Sequence, residues 1–229
     1  MYEENENNGE EKDNGIKIIL VGDSGTGKTN LITVAAGFEF NSNTLTTTSC
    51  SYIQKIIKKG DKEYKVNLWD TIGQEKYRSL TKIFLKDSKI VIFVYDITNR
   101  ATFESLKFWK KTIDDVLGNG PVLGVVGNKI DLYYDEKVKE EEGEEYANSI
   151  GAKFLITSAK NDSKAFSIFI EQTLEDYLGR ALDESERVES VIINREPKRR
   201  SGGCCWWFKY KINVNIMIIL YILIILNSV

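Results

Sequence analysis

Ile16-Lys17-Ile18-Ile19-Leu20-Val21-Gly22-Asp23-Ser24-Gly25-Thr26-Gly27-Lys28-Thr29 joins an apolar run to a glycine-rich loop, and its second half fits G-x-x-x-x-G-K-[ST] at every fixed position. A buried strand feeding a glycine turn and then a helix aims several backbone N–H groups at one point, where the helix dipole also favours an anion. That point is a phosphate site. Lys28 reaches the β- and γ-phosphates of a bound nucleotide as a point charge, and the Thr29 hydroxyl completes the coordination of a Mg²⁺ ion bridging them.

The same logic extends down the chain. After the loop, Asn30 to Phe38 continues as a helix, and Phe38 to Ser51 is a Ser/Thr/Asn-rich loop. Tyr52 to Ile57 alternates into a strand that turns at Lys59-Gly60-Asp61 and returns as Tyr64 to Trp69. Trp69-Asp70-Thr71-Ile72-Gly73-Gln74-Glu75 follows at once, then a helix-like spacing of Tyr77, Leu80 and Phe84. Ile90 to Tyr95 is a solid apolar strand ending in Asp96. Phe103, Leu106, Trp109, Ile113 and Val116 recur at three to four residues, the buried face of a helix, and are read as core. Pro121 to Val126 is a further buried strand, ending in Gly127-Asn128-Lys129-Ile130-Asp131. An acidic helix over 137–149, a strand over Phe154 to Ile156, the loop Thr157-Ser158-Ala159-Lys160 and a closing helix complete the alternation. Strands alternating with helices imply an α/β fold, a mostly parallel sheet covered on both faces with ligands at the carboxyl ends of its strands. Every polar motif quoted sits at such an end.

Composition narrows the chemistry. At 229 residues the chain suits one α/β domain with appendages. Residues 1–15 carry six acids and one lysine and read as a disordered acidic leader, whereas 16–180 carry 23 charges of each sign. A neutral folded part offers no basic stripe for nucleic acid. The chain has no histidine, which removes Ser-His-Asp and Cys-His nucleophiles and His-ligated metals. Phosphoryl chemistry needs positioning and Mg²⁺ instead. Three cysteines, Cys50, Cys204 and Cys205, and no secretory signal favour a reducing cytosolic location.

In this order and spacing, Gly-Asp-Ser-Gly-x-Gly-Lys-Thr, Trp-Asp-Thr-x-Gly-Gln-Glu, Tyr95-Asp96-Ile97-Thr98, Gly-Asn-Lys-x-Asp and Thr-Ser-Ala-Lys resemble the Ras superfamily of small GTPases, and the Rab branch most closely, over about Ile16 to Tyr177. Asp131, an acceptor-only carboxylate, suits the N1–H and 2-amino group of guanine, whereas adenine presents an acceptor and no amino group there. The resemblance implies a P-loop small-GTPase domain with one antiparallel edge strand. Its nucleotide set is Ser24, Gly25, Gly27, Lys28, Thr29, Asn30, Phe40, Thr47, Gly73, Asn128, Lys129, Asp131, Ser158, Ala159 and Lys160. Within it, Lys129 and Phe40 cover the two sides of the purine and the Ala159 N–H meets its O6. Thr29, Thr47 and Asp70 are the implied Mg²⁺ residues, and Gln74 orients the attacking water. Two loops that feel the γ-phosphate make an order-to-disorder switch between GTP and GDP. Effectors, an exchange factor and a GTPase-activating protein are the implied partners, with Tyr52, Trp69 and Phe84 as the effector surface, and a monomer is expected.

Two departures bear on function. Thr48, Ser49, Cys50 and Ser51 replace the usual residues after the switch threonine, and Ile72 stands where a small alanine is expected before Gly73. They motivate an alternative: a module that holds GTP without useful turnover and acts as a constitutive recruitment platform.

The tail is a third matter. Residues 181–205 read as a flexible tether with a basic cluster at Arg195, Lys198, Arg199 and Arg200, ending in Cys204-Cys205, which resemble the prenylated cysteine pair of Rab proteins. Prenylation signals lie at or near a terminus, yet 24 residues follow. Trp206-Trp207-Phe208-Lys209-Tyr210-Lys211 is an aromatic and basic girdle, and Ile212 to Val229 is uncharged, about 27 Å as a helix against a bilayer core of about 30 Å. Either 206–229 is a tail anchor beside cysteines open to palmitoylation, or the true end lies near Cys205. Both readings place the protein on the cytosolic face of an intracellular membrane, with a cytosolic pool if it is prenylated.

Overall fold

The computed structural model describes residues 15–42, 51–71, 83–162 and 164–193. Six strands form one sheet in the order β2-β3-β1-β4-β5-β6. The central strands β1 (Ile16–Val21), β4 (Ile90–Asp96) and β5 (Val122–Asn128) are nearly continuous apolar runs because helices cover both their faces. β1 pairs in parallel with β3 (Lys62–Asp70) and β4, and β5 pairs in parallel with β6 (Lys153–Ile156). β2 (Ser51–Lys59) is the antiparallel edge strand, held to β3 in a register that sets Tyr52 opposite Trp69 and Ile56 opposite Lys65. Gly60 makes their turn at a positive φ of 58°.

Helices divide the core in two. α1 (Lys28–Ala35) and α5 (Ala165–Ile193) cover one face, where Ile18, Leu20, Leu31, Ile92, Phe166 and Ile170 pack together. The short α2 (Arg100–Glu104), α3 (Leu106–Leu117) and α4 (Glu140–Ser149) lie on the other, around Ile19, Val21, Phe93, Tyr95, Trp109 and Ile113. Burial of these side chains, at about 25 cal/mol per Å² of apolar surface, is the main force holding the layers. On the inner side of β2, Ile53 and Ile57 flank Lys55, whose Nζ donates to the Ala35 carbonyl at the end of α1 (2.8 Å) and to Ser167 Oγ of α5 (3.2 Å).

Several boundaries differ from expectation. α1 starts at Lys28, where Gly27 in the left-handed region (φ 92°) caps it, and ends at Ala35 rather than Phe38. The acidic helix begins at Glu140, because Lys139 is extended (ψ 153°) and caps it, with Glu142 Oε1 accepting the Lys139 N–H at 3.2 Å. α5 continues through 181–193, where a tether is expected from 181. Ala181, Leu182, Glu184, Glu186, Arg187 and Glu189 are strong helix formers, and their summed propensity favours continuing the helix. Among the described residues no helix is long and apolar enough to cross a membrane, and 206–229 lie outside them.

Candidate functional site

Three strand ends, those of β1, β3 and β5, converge on one edge of the sheet. The loop after β1 is shaped by glycines that other residues cannot replace. Gly22 lies against the Val94 carbonyl, and a Cβ on Gly27 would strike the Asn128 amide. Both have positive φ, at 149° and 92°. With no side chains in the way, the loop folds back on itself: Lys28 Nζ donates to the Gly22 and Asp23 carbonyls (2.8 and 2.9 Å), and Thr26 Oγ1 donates to Asp23 O (3.0 Å). Ser24 and Gly25 stand exposed at the rim, and Asn30 is half-buried on α1. Burial pulls the Lys28 ammonium down to about 8, opposed by the nearby carboxylates of Asp70 and Asp23. A bound polyphosphate would supply the charge that this buried cation lacks.

Asp70, at the end of β3, is buried and accepts the Thr29 hydroxyl at 2.7 Å. Next to it Thr71 Oγ1 donates to the Leu20 carbonyl (2.6 Å), so the ends of β1 and β3 are locked side by side. A carboxylate and a hydroxyl brought together beside a phosphate loop are the hard oxygen donors that suit Mg²⁺. The residues present therefore fit the ion. Thr47, Gly73 and Gln74, and with them Ile72 and the loop 48–50, lie outside the described residues.

The end of β5 builds a second cluster. Asn128, 1% exposed, donates from Nδ2 to the Thr26 carbonyl (2.8 Å) and accepts the Ala159 N–H at Oδ1 (3.1 Å). It therefore bolts the phosphate loop to the loop after β6. The Ala159 N–H, which the resemblance aims at the base, is shared with this asparagine. Lys129 takes a left-handed conformation (φ 73°) and pairs with Asp96 Oδ2 at 2.6 Å, while Asp96 Oδ1 accepts both the N–H and the hydroxyl of Thr98. Asp131 accepts the Ser158 hydroxyl at 2.6 Å, and Ser158 Oγ in turn accepts the N–H groups of Lys160 and Asn161 (3.2 and 3.1 Å). The carboxylate is thereby oriented by a buried hydroxyl, with its second oxygen available to a partner that presents N–H donors. Phe40 is half-buried and packs on the α1/α5 core.

The structure brings Lys28, Thr29, Asp70, Asn128, Asp131, Ser158 and Ala159 to one edge. It also adds a contact that sequence periodicity conceals: Trp109 Nε1 of α3 donates to Asp23 Oδ1 at 3.0 Å. A helical apolar stripe identifies Trp109 as core, and nothing in a stripe singles out the one polar atom on an indole ring. Tyr52 and Trp69 stack at 4.9 Å on the open side of the β2–β3 ribbon, with Lys17 Nζ 4.3 Å from the Trp69 ring. Phe84 is half-buried against the α3/α4 core, as is Trp69. Cys204 and Cys205 lie outside the described residues.

The model of the Ras family matches residues 17–176. The chain is 35% identical over 201 residues to the Ras-related protein Rab-21 of Mus musculus, covering 82% of this chain and 90% of the relative. It is 34% identical over 194 residues to Rab-17 of Mus musculus, with the same coverage, and 35% identical over 181 residues to SEC4 of Saccharomyces cerevisiae, covering 79% and 83%. Two clusters that suit a phosphate chain and a guanine base, on a sheet of this order and beneath such matches, have one explanation: the chain belongs to the Ras superfamily of small GTPases, the enzymes that hydrolyse GTP to GDP and phosphate, and within it resembles the Rab proteins.

Proposed function

We propose that this chain is a membrane-attached Rab-type switch that cycles between GTP and GDP and recruits effectors in vesicle-mediated transport. The observation that carries the reading is the joint arrangement of the Lys28, Thr29 and Asp70 cluster with the Asn128, Asp131 and Ser158 cluster, bridged by the Asn128 side chain. Lys28 and the loop N–H groups from Gly25 to Asn30 hold the phosphates. Asp131 accepts from the guanine N1–H and 2-amino group, and Lys129 and Phe40 close on the purine faces. Thr29, and Asp70 through water, would hold Mg²⁺, with Thr47 joining them in the triphosphate state. When bound, that ion supplies positive charge against the β- and γ-phosphate oxygens. Gln74 orients a water in line with the γ-phosphorus, and hydrolysis breaks the bond to the β–γ bridging oxygen.

Loss of the γ-phosphate releases the segments around Thr47 and Gly73, which changes the surface bearing Tyr52, Trp69 and Phe84 and so the choice of effector. An exchange factor and a GTPase-activating protein set the two directions of the cycle, and the switch acts as a monomer. Residues 16–180 form the catalytic unit, and the tail carries it to the cytosolic face of an intracellular membrane, through lipid on Cys204 and Cys205 or through 206–229.

Nucleotide released from the purified protein tests this. Recovered GDP supports the cycling switch, recovered GTP supports the platform with impaired turnover, and adenine nucleotide would sink both. Intact mass of the native protein fixes the terminus and the lipid together.

A further inference from the structure

The phosphate loop owes its shape to contacts made from outside as well as within. Three of its glycines, Gly22, Gly25 and Gly27, have positive φ, so the segment is intrinsically loose. Among the described residues, two side chains from elsewhere in the chain donate hydrogen bonds to it. One is Asn128, on the Thr26 carbonyl; the other is Trp109, on the Asp23 carboxylate, across 86 residues of sequence. Trp109 is itself part of the core: it is 1% exposed and belongs to the buried cluster that includes Val21, Phe93 and Ile113. The backbone carbonyl of the residue it grips accepts both Lys28 Nζ and Thr26 Oγ1. Moreover, Asp23 is an anion in a loop that must receive a polyanion, and like charges repel. A fixed indole N–H holds that carboxylate toward α3.

Accepting the guanine-nucleotide reading above, we infer that Trp109 is a positioning residue for the phosphate loop. It acts through Asp23 to keep the Asp23 carbonyl and the loop N–H groups set for the phosphates, and so slows release of nucleotide. It does not touch the nucleotide itself.

The test is a cycle on full-length protein loaded with fluorescent GDP. Trp109→Phe keeps the ring in the core and deletes the donor. Release should accelerate about tenfold, the factor equivalent to about 1.4 kcal/mol of lost binding. In an Asp23→Ala background, where the acceptor is gone, Trp109→Phe should change release by less than twofold. In an Asp23→Asn background, whose amide oxygen still accepts, the acceleration should persist. Equal acceleration in all three backgrounds would mean that the ring acts by packing alone, and no acceleration in the wild-type background would remove the clamp outright.

A second measurement needs neither nucleotide nor a folded Trp109 variant. In ¹⁵N spectra, Asp23→Ala should move one indole N–H resonance upfield and speed its exchange with solvent. Four unmoved indole resonances would refute the bond. Wild-type protein that takes up no guanine nucleotide would defeat the functional reading. Protein that holds GDP yet is indifferent to Trp109→Phe would defeat the clamp only.

Discussion

Removal of the Asn128 side chain should loosen both halves of the nucleotide site at once. In Asn128→Ala the Thr26 carbonyl loses its donor at 2.8 Å and the Ala159 N–H loses its acceptor at 3.1 Å, and the asparagine itself is 1% exposed. A buried polar group left without its partner costs about 1–3 kcal/mol, so the pair amounts to about 2–6 kcal/mol. For a domain of this size each kcal/mol lowers the melting temperature by about 2–4 °C, which places the variant about 4–24 °C below the parent. Affinity for GDP and for inosine diphosphate should fall by a common factor, because Asn128 sets the two loops and leaves the 2-amino group to Asp131.

Asn128→Asp sharpens the test. The introduced carboxylate still accepts from Ala159 but faces the Thr26 carbonyl with a second acceptor, unless it carries a proton. Burial and that carbonyl both raise its folded pKa above the unfolded value of about 3.9. The variant is then most stable below that unfolded value, where the protonated acid donates to Thr26, and loses stability as the pH rises through the folded pKa. Differential scanning fluorimetry from about pH 4 to 8, run alongside nucleotide titrations, reads both effects. Asn128→Ala melting within about 2 °C of the parent, with GDP affinity changed less than threefold, would refute the bridge.

Asp131→Asn should weaken GTP relative to xanthosine triphosphate, since an amide supplies the donor that a 2-oxo group needs; an unchanged preference in competition binding removes Asp131 from the base site. The isolated protein should turn over at roughly 10⁻⁴ to 10⁻³ per second, as expected where no arginine is supplied in cis. From Asn30 to Gln54 the sequence contains neither arginine nor lysine. Gln74→Leu should slow it further, and single-turnover hydrolysis near one per second would show a catalytic charge elsewhere. Gly143→Ala should destabilise although alanine is the better helix former. The added Cβ falls against the Tyr95 hydroxyl and lies 2.7 Å from the Phe154 ring. With contacts this close, overpacking of about 2–3 kcal/mol, the upper part of the usual range, outweighs a propensity gain of about 1 kcal/mol, for a net loss of about 1–2 kcal/mol and a fall of about 2–8 °C on thermal unfolding.

The sheet and the phosphate loop were legible in the sequence because the forces that make them act locally. A run such as Ile90 to Tyr95 can only be buried, and the glycines from Gly22 to Gly27 leave few other shapes to the loop. Asp131 was legible for a chemical reason, its lack of any donor. What escaped depends on long-range geometry. The Lys129 ammonium is drawn to Asp96, a partner on another strand end. Periodicity assigned Trp109 to the core, and it is there, but a period of 3.6 residues describes a face of a helix and says nothing of an N–H at its edge. The start of α4 differs from the pattern because the run of acids from Glu140 is capped by an extended Lys139, a backbone conformation that composition does not reveal. The tail beyond 180 read as a tether because its charges are scattered, whereas helix propensity sums over residues regardless of where their charges point.

The bond from Lys55 to Ala35 and Ser167 gives the β2–β3 ribbon a mechanical character. Side chains alternate along a strand, so a slip of one residue would turn Lys55 outward and drive Gln54 or Ile56 against the end of α1. A slip of two would restore the face but carry the ammonium about 6.6 Å from both acceptors, at about 3.3 Å per residue. Sliding is therefore blocked at every small step. The edge strand is thus riveted at its middle, through Lys55, to the last residue of α1, the helix that begins at the phosphate loop.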